Sequence, residues 1–192
     1  MRLCKPNGKT NFRTKTIMKT VIIQGSSRST GNTKTVIDLF KNHIEFDLID
    51  LASKNIGQFD YDFNNQNDDF KNLFEKIAND YDVILFATPV YWYAMSGIMK
   101  TFFDRITDFL KVDKANGRKL RGKLAGAISC GSDSKEWDGF FMPFEKSSAY
   151  LGMHYIGDIH TWISDDQPEA TVIKRVADFS DKIKELGMSE IV

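Results

Sequence analysis

The 192-residue chain has few of the residues that hold small proteins together through disulfides or metals. It contains two cysteines, four prolines and three histidines. Cys4 and Cys130 are too few for a disulfide framework and lack the paired spacing of a zinc site. The histidines are scattered along the chain. We therefore expect no metal centre, and a reducing, cytoplasmic location.

Excess charge of one sign and long apolar runs are also absent. The chain has 26 basic and 26 acidic side chains, so its net charge is +0, which argues against a nucleic-acid partner. No apolar stretch approaches the length of about 18 residues that marks a membrane-spanning helix, so we expect no membrane insertion. A composition of 42% hydrophobic and 27% charged residues predicts one globular domain.

The first 17 residues differ in composition from the rest. They carry five basic side chains and no acidic one, whereas residues 18–192 carry 21 basic and 26 acidic side chains, a net charge of −5. They lack the apolar core of a secretory signal, and an apolar run begins directly after Met18. We expect residues 1–17 to be a disordered N-terminal extension and residues 18–192 to form the folded domain. A functional tail is the alternative.

From Lys19 onward, short apolar runs alternate with apolar residues at helical spacing. The runs predict five strands, at residues 19–25, 45–51, 83–87, 124–130 and 153–163. The first intervening helix is predicted to include Ile44, and the fourth to begin at Phe140 and Phe141. Residues 54–67 are polar and predict a long loop. This alternation indicates an α/β fold in which helices cover both faces of a parallel sheet.

Ligands of such sheets bind beyond the carboxyl ends of the strands. The first of these loops, Gly25–Thr33, has the sequence GSSRSTGNT and leads into a predicted helix. Its hydroxyls, the Arg28 guanidinium and the free N–H groups of a helix N-terminus favour a phosphate group. A helix that is merely well capped by Ser, Thr or Asn is the alternative.

Two further loops follow strands three and four. Residues 88–97, TPVYWYAMSG, place three successive aromatic side chains at this edge of the sheet. They suit a flat heteroaromatic ligand, although a plug of core residues or an oligomer interface is the alternative. Residues 129–134, SCGSDS, are mostly small and permit close approach of a ligand.

Two of these segments resemble a known family. The patterns G-S-S-R-x-x-G-N-T and T-P-V-Y-W-x-x-M-S-G-x-M-K-x-F-x-D-R, at 25–33 and 88–105, are similar to the NAD(P)H-dependent FMN reductase branch of the flavodoxin-like superfamily, with its multimeric-flavodoxin and iron–sulfur-flavoprotein relatives. The resemblance covers residues 19 to about 187. It implies a flavodoxin-like three-layer sandwich, with a five-stranded parallel sheet in the order 2-1-3-4-5, and non-covalently bound FMN. The iron–sulfur relatives have a cysteine cluster after strand two, but residues 52–70 here contain no cysteine.

The resemblance also assigns roles to individual residues. Those expected at the FMN phosphate are Ser26, Arg28, Gly31, Asn32 and Thr33. Those expected to border the isoalloxazine ring are Pro89, Val90, Tyr91 and Trp92, with Ser129 and Gly131 along its far edge. No side chain is expected to act as a catalytic acid or base, because the chemistry belongs mainly to the flavin.

The function implied is that of an FMN-dependent NAD(P)H oxidoreductase that passes reducing equivalents from a nicotinamide to a quinone, flavin or similar small acceptor. The alternative is a flavodoxin-type electron-transfer protein without nicotinamide-dependent turnover. The resemblance favours a homodimer or tetramer. His154 and His160 are expected to lie away from the three loops, and Asp104 and Arg105 to form a structural or interface pair. The apolar stretch Trp137–Phe144 either buries the start of helix four or packs on a second subunit.

Overall fold

The computed structural model describes residues 18–164 and 167–188, so the predicted extension, residues 1–17, lies outside the described residues. Strands and helices alternate along the described chain as the sequence predicts. The elements are β1 (Thr20–Gln24), α1 (Asn32–Phe40), β2 (Asp47–Asp50), α2 (Phe70–Asp80), β3 (Val83–Pro89), α3 (Gly97–Lys111), the short α4 (Lys114–Gly117), β4 (Leu124–Gly131), α5 (Met142–Leu151), β5 (His154–Trp162) and α6 (Ala170–Met188).

The five strands form one parallel sheet in the order β2-β1-β3-β4-β5, which confirms the predicted fold. Every residue of β1 and β3 is buried, whereas β2 and β5, at the two edges, are partly exposed. An apolar strand such as β3 belongs in the middle of a parallel sheet because helices cover both of its faces. None of the helices in the described ranges is long and apolar enough to cross a bilayer.

Alternate residues of each strand point into two separate cores, one on each face of the sheet. The first core lies between the sheet and helices α2, α3 and α5, and its buried members include Ile23, Phe74, Phe86, Phe102 and Phe144. The second lies between the sheet and helices α1 and α6, and it includes Ile22, Phe40, Leu85, Val176 and Phe179. The fold is therefore a three-layer α/β/α sandwich.

Two helix boundaries differ from the sequence-based expectation. Helix α1 ends at Phe40, so Ile44 lies beyond it and packs against the second core from the following turn. Helix α5 begins only at Met142 and has a proline in its first turn, a position that proline favours. Phe140 and Phe141 therefore belong to the turn before α5, where Phe140 is buried and Phe141 is partly buried against the first core.

The long polar loop between β2 and α2 is held to α3 by Arg105. This side chain is 2% exposed; it pairs with Asp68 in the loop and, at 2.9 Å, with Asp108 on its own helix. It also donates hydrogen bonds to the carbonyl oxygens of Gly57 at 3.0 Å and Asn65 at 2.9 Å. One buried guanidinium thus ties four groups together, and three of them belong to the loop.

The expected pairing of Asp104 with Arg105 is wrong. Neighbours in a helix point in directions about 100° apart, so the two side chains face different surroundings. Asp104 instead pairs with Lys100, one turn earlier, on the exposed surface. Only Arg105 faces inward, where it serves the structural role that the sequence suggested for the pair.

The charge state of this cluster follows from its contacts. Burial acts to raise the pKa of Asp68, but hydrogen bonds from Arg105 and from the N–H groups of Gly57 and Phe70 outweigh it, and the pKa lies below its ordinary value of 3.8. Burial likewise acts to lower the pKa of Arg105, and its two carboxylate partners reverse this. Both groups are therefore charged at neutral pH, and their pairing stabilises the folded state.

We expect Asp68→Asn to lower the free energy of unfolding by about 2–4 kcal/mol, because it leaves buried Arg105 with one carboxylate in place of two. The contribution of Asp68 is fully present above its unfolded-state pKa and is lost as the pH falls through the lower folded-state pKa. The difference between wild type and variant should therefore shrink below about pH 4. Denaturant unfolding at pH 7, 5 and 3 measures it.

The matched control is Asp104→Asn, the same substitution next to Arg105. The Lys100–Asp104 pair is exposed, so this variant should change the free energy of unfolding by less than about 0.5 kcal/mol. Equal losses in the two variants at pH 7 would contradict the structural role assigned to Arg105.

Candidate functional site

Three loops meet at the carboxyl ends of the strands, as predicted. β1, β3 and β4 are parallel neighbours, so the segments that follow them emerge side by side. The Ser27 Oγ and Tyr91 Oη atoms, from the first and second loops, are 3.4 Å apart. The Val90 N–H donates to the carbonyl oxygen of Cys130 at 2.9 Å and connects the second loop to the end of β4.

A buried hydroxyl joins the first two loops to the start of α3. Ser96 Oγ donates to the carbonyl oxygen of Gly25 and accepts from the Met99 N–H at 3.1 Å, which caps the helix. The Ser96 N–H donates to Thr88 Oγ1 at 3.0 Å. The chains approach so closely that a Cβ on Gly25 would lie 2.7 Å from the Cβ of Met99. Glycine at position 25 is therefore a packing requirement.

The first loop leads into the N-terminus of α1, which has no side-chain cap. Gly31 is the N-cap, no side chain caps the helix, and no acidic residue lies in its first turn. The exposed polar residues of this segment are Ser27, Arg28, Ser29, Thr30 and Asn32. Free N–H groups, the positive end of the helix dipole and the Arg28 guanidinium together suit an anion.

Buried groups fix the shape of this loop. Gln24 is fully buried and its Nε2 donates to the carbonyl oxygens of Arg28 at 3.3 Å and Ser29 at 3.2 Å. Ser26 Oγ accepts from the Arg28 N–H at 3.2 Å. Ser26 and Thr33 are 4% and 2% exposed, so of the predicted phosphate residues these two face inward. Gln24 was not predicted because its sequence position reads simply as the end of a strand.

The second loop is a tight turn of two aromatic residues with left-handed backbone conformations. Trp92 has φ 48° and Tyr93 has φ 65°, and Tyr91 and Ala94 exchange two hydrogen bonds of 3.0 Å across them. This is the geometry of a type I′ turn, which normally uses Asn or Gly at its two central positions. The indole of Trp92 is 92% exposed, so no packing inside the subunit compensates for its conformation.

A cavity of about 230 Å³ opens between the second and third loops. Its lining residues are Val90, Trp92, Tyr93, Gly131, Ser132, Asp133, Lys135, Trp137 and His160. The rings of Tyr93 and Trp137 meet edge to face at a centroid distance of 4.6 Å, and the Lys135 ammonium lies 4.1 Å from the centroid of Trp137. Aromatic walls with a few polar groups are typical of sites for flat organic ligands.

The stretch Trp137–Phe144 is divided between the first core and the surface, so burial at the start of helix four accounts for only part of it. Phe140 and Phe144 are buried in the first core, whereas Trp137 and Met142 are 36% and 51% exposed. Trp137 contributes to the cavity wall. The apolar excess of this stretch therefore has two causes, a core contact and an exposed aromatic surface beside the cavity.

A residue of β5 that the sequence did not place at the site lies beside the third loop. His160 lines the cavity, and its Nδ1 is 2.8 Å from Ser129 Oγ while its Nε2 is 2.9 Å from the carbonyl oxygen of Asp133. The expectation that His160 lies away from the loops is wrong. His154, at the start of the same strand, is exposed and lies at the other end, as expected.

Of the two residues predicted for the far edge, Gly131 lines the cavity, whereas Ser129 is fully buried and bonded to His160. The intervening Cys130 is a packed thiol beneath the site. Burial raises its pKa to about 11, and the hydroxyls of Thr161 and Thr33 offset this only in part. A thiol with such a pKa is protonated at neutral pH and is a poor nucleophile.

The residues fit FMN in two separate places. An uncapped helix N-terminus with an exposed arginine suits the phosphate, and an aromatic cavity next to it suits the ring. The structure brings the loops that contain Arg28, Val90, Tyr91 and Gly131 to one edge, as predicted. The additional cavity residues that the sequence did not single out as ligands are Tyr93, Ser132, Asp133, Lys135, Trp137 and His160.

Comparison with known proteins agrees with this geometry. The NADPH-dependent FMN reductase family matches residues 18–167, which is most of the chain. The chain therefore belongs to the NADPH-dependent FMN reductase family. It is an NAD(P)H-dependent, FMN-containing oxidoreductase, and this confirms the resemblance and the cofactor expected from the two sequence patterns.

The individual relatives have low sequence identity to this chain. YwqN of Bacillus subtilis (strain 168), which is named as an NAD(P)H-dependent FMN-containing oxidoreductase, is 29% identical over 150 residues, 73% of this chain and 82% of its own length. The solved structure of the Trp repressor binding protein from Bacillus subtilis shares 23% identity, with a TM-score of 0.67 over 83% of this chain and 96% of that one. Oxidised flavodoxin 1 from Bacillus cereus has 16% identity and a TM-score of 0.58, covering 87% and 97% of the two chains.

The left-handed turn yields a direct test of backbone strain. Trp92→Gly and Trp92→Ala remove the same exposed indole, but only glycine adopts φ 48° without a steric cost. We expect the alanine variant to be less stable than the glycine variant by about 1 kcal/mol, measured by denaturant unfolding of the flavin-free protein.

The control pair is Val112→Gly and Val112→Ala. Val112 is also exposed and has φ −93°, in the right-handed region. Here alanine should be the more stable variant, by up to about 1 kcal/mol. If alanine were the more stable residue at position 92 as well, the turn would not be strained.

Proposed function

We propose that this protein transfers reducing equivalents from a nicotinamide to a small acceptor, a quinone or a free flavin, through FMN held by the three loops. The observation that carries the proposal is the direct adjacency of an anion site and an aromatic cavity, bridged by Ser27 and Tyr91. FMN has the same two parts, a phosphate and a flat ring system, joined by a short chain.

The first loop is assigned to the phosphate. The N–H groups at the start of α1 and the guanidinium of Arg28 would donate hydrogen bonds to its oxygens, with Asn32 beside them. Gly31, at the N-cap, leaves the approach open because it carries no side chain. Ser26 and Thr33 are nearly buried and contribute from the inner side of the loop.

The second and third loops are assigned to the ring. Pro89 and Val90 form the base of the second loop, Tyr91 begins its turn, Trp92 is a central residue of that turn, and Gly131 forms part of the opposite wall. When bound, FMN supplies the capacity to accept a hydride from a nicotinamide and to release electrons to an acceptor. Trp92 and Tyr93, which are exposed, would stack on the reactants and exclude water.

Two finer points belong to the same proposal. The aromatic surface formed by Trp92, Tyr93 and Trp137 beside the cavity supports a homodimer or tetramer in which a second subunit covers it. Free thiol Cys130 agrees with a reducing, cytoplasmic location.

The phosphate assignment predicts that Arg28→Ala weakens FMN binding by about 1.5–3 kcal/mol, because a charge-assisted hydrogen bond is lost. Riboflavin, which has the same ring and no phosphate, should lose less than twofold in affinity. Titration of flavin-free protein, followed by flavin fluorescence, measures both.

Arg118→Ala is the control for this titration. Arg118 is also exposed, but it precedes β4 and so lies at the amino-terminal ends of the strands, away from the three loops. It should leave both affinities unchanged. Equal losses for FMN and riboflavin in Arg28→Ala would contradict the phosphate assignment.

The proposed activity predicts that NADPH or NADH bleaches the absorbance of the FMN-loaded protein under anaerobic conditions, and that a quinone or free flavin restores it over many turnovers. Trp92→Ala should slow reduction about three- to tenfold, the value of an aromatic stacking contact, and more than Trp137→Ala does. If dithionite bleaches the protein but neither nicotinamide does, the electron-transfer alternative replaces the enzyme.

A further inference from the structure

His160 is an almost completely buried polar side chain in the wall of the cavity. It is 4% exposed, and both of its ring nitrogens have partners. One partner is the Ser129 hydroxyl, on the neighbouring strand β4. The other is the carbonyl oxygen of Asp133, in the segment that follows β4 and forms one side of the cavity.

The chemistry of the two partners fixes the proton. A carbonyl oxygen only accepts, so the Nε2 of His160 donates to Asp133. In the neutral imidazole Nδ1 then accepts, and the Ser129 hydroxyl donates to it. Every polar atom of the ring therefore has a fixed role, and Nε2 is the atom that reaches the cavity wall.

An irregularity of the sheet brings His160 to this position. Ala125 of β4 pairs with Tyr155 of β5, whereas Ala127 pairs with Asp158, so β5 contains one extra residue between these two pairs. Gly157, with φ 109°, lies at this bulge. Ser129 then pairs with His160, whereas without the extra residue Ile159 would occupy that place, because a shift of one residue exchanges the faces of a strand.

The imidazole also fits closely against the main chain of the wall. A Cβ on Gly131 would lie 2.9 Å from the Cε1 atom of His160 and 3.4 Å from its Nε2. Arg175, on α6, adds a second attachment, because its Nη1 donates to the His160 carbonyl oxygen at 3.0 Å and pairs with Glu136 at 2.5 Å. The segment Gly131–Trp137 is thus held to β5 and α6 at two points.

We propose that His160 is a positioning residue for the flavin ring: its Nε2–H holds the Asp133 carbonyl and so fixes Gly131–Asp133 as the wall against which the ring binds. This inference rests on the proposed function. This role is separate from phosphate binding, because Gly131, Asp133 and His160 all line the cavity and none belongs to the first loop. His160 acts on the ring through this wall, and it has no role as a catalytic acid or base.

Two variants distinguish the roles of the two ring nitrogens of His160. His160→Gln places an amide N–H near the position of Nε2 and keeps a donor for Asp133, whereas His160→Asn places its amide near Nδ1 and keeps only the contact with Ser129. We expect Asn to weaken FMN binding about tenfold, the value of one net hydrogen bond, and Gln to stay within about threefold of wild type.

The measurement is titration of flavin-free protein with FMN and with riboflavin, well below the Tm of each variant, and the Tm is recorded for each. Because His160 acts on the ring, His160→Asn should weaken FMN and riboflavin by the same factor, unlike Arg28→Ala. His154→Gln, an exposed histidine of the same strand, is the control and should change neither.

The outcomes are distinct. The positioning role would be overturned if the Gln and Asn variants bound FMN equally well. It would also be overturned if the loss of affinity correlated with the Tm of each variant and not with which ring nitrogen the variant replaces. Either result would leave FMN binding itself intact. A wild-type protein that binds neither FMN nor riboflavin would instead overturn the proposed function. The inference is supported if the Gln variant keeps the affinity for the ring and the Asn variant loses it.

Discussion

The site depends on one buried hydroxyl, that of Ser96. It donates to the end of β1 through the Gly25 carbonyl, caps α3 through the Met99 N–H, and its own residue is bonded to Thr88 at the end of β3. Buried polar groups without partners cost about 1–3 kcal/mol each, so the three elements are held in one arrangement. The first loop and the aromatic turn both start at this junction.

This constraint explains how an unfavourable turn persists beside the cavity. A left-handed non-glycine residue costs about 1–2 kcal/mol, and Trp92 and Tyr93 are two in succession. Their exposed side chains return little of that cost within the subunit. The surrounding hydrogen bonds overdetermine the turn, which is the usual condition for strain at functional sites. The aromatic rings are thereby held in place beside the cavity.

The sequence predicts what depends on local pattern. The apolar run of β3 and the helix start that follows Arg28 could be predicted because the residues that indicate a central strand or a helix N-terminus stand in consecutive positions. Arg105 and His160 could not be assigned in this way, because their partners lie far along the chain. Asp68 is 37 residues from Arg105, and Ser129 meets His160 only through a bulge that shifts the register by one residue. Periodicity contains no information on such a shift.

The aromatic turn is anchored at both ends, and the side chains at its centre are exposed. Thr88 and Ser96 secure its two ends to the sheet and to α3, and the segment between them contributes side chains to the cavity without belonging to the fully buried part of either core. Substitutions between these anchors can therefore alter the chemistry of the cavity at small cost to the fold. The surface that this loop adds to the cavity can therefore vary while the sheet and both cores stay the same.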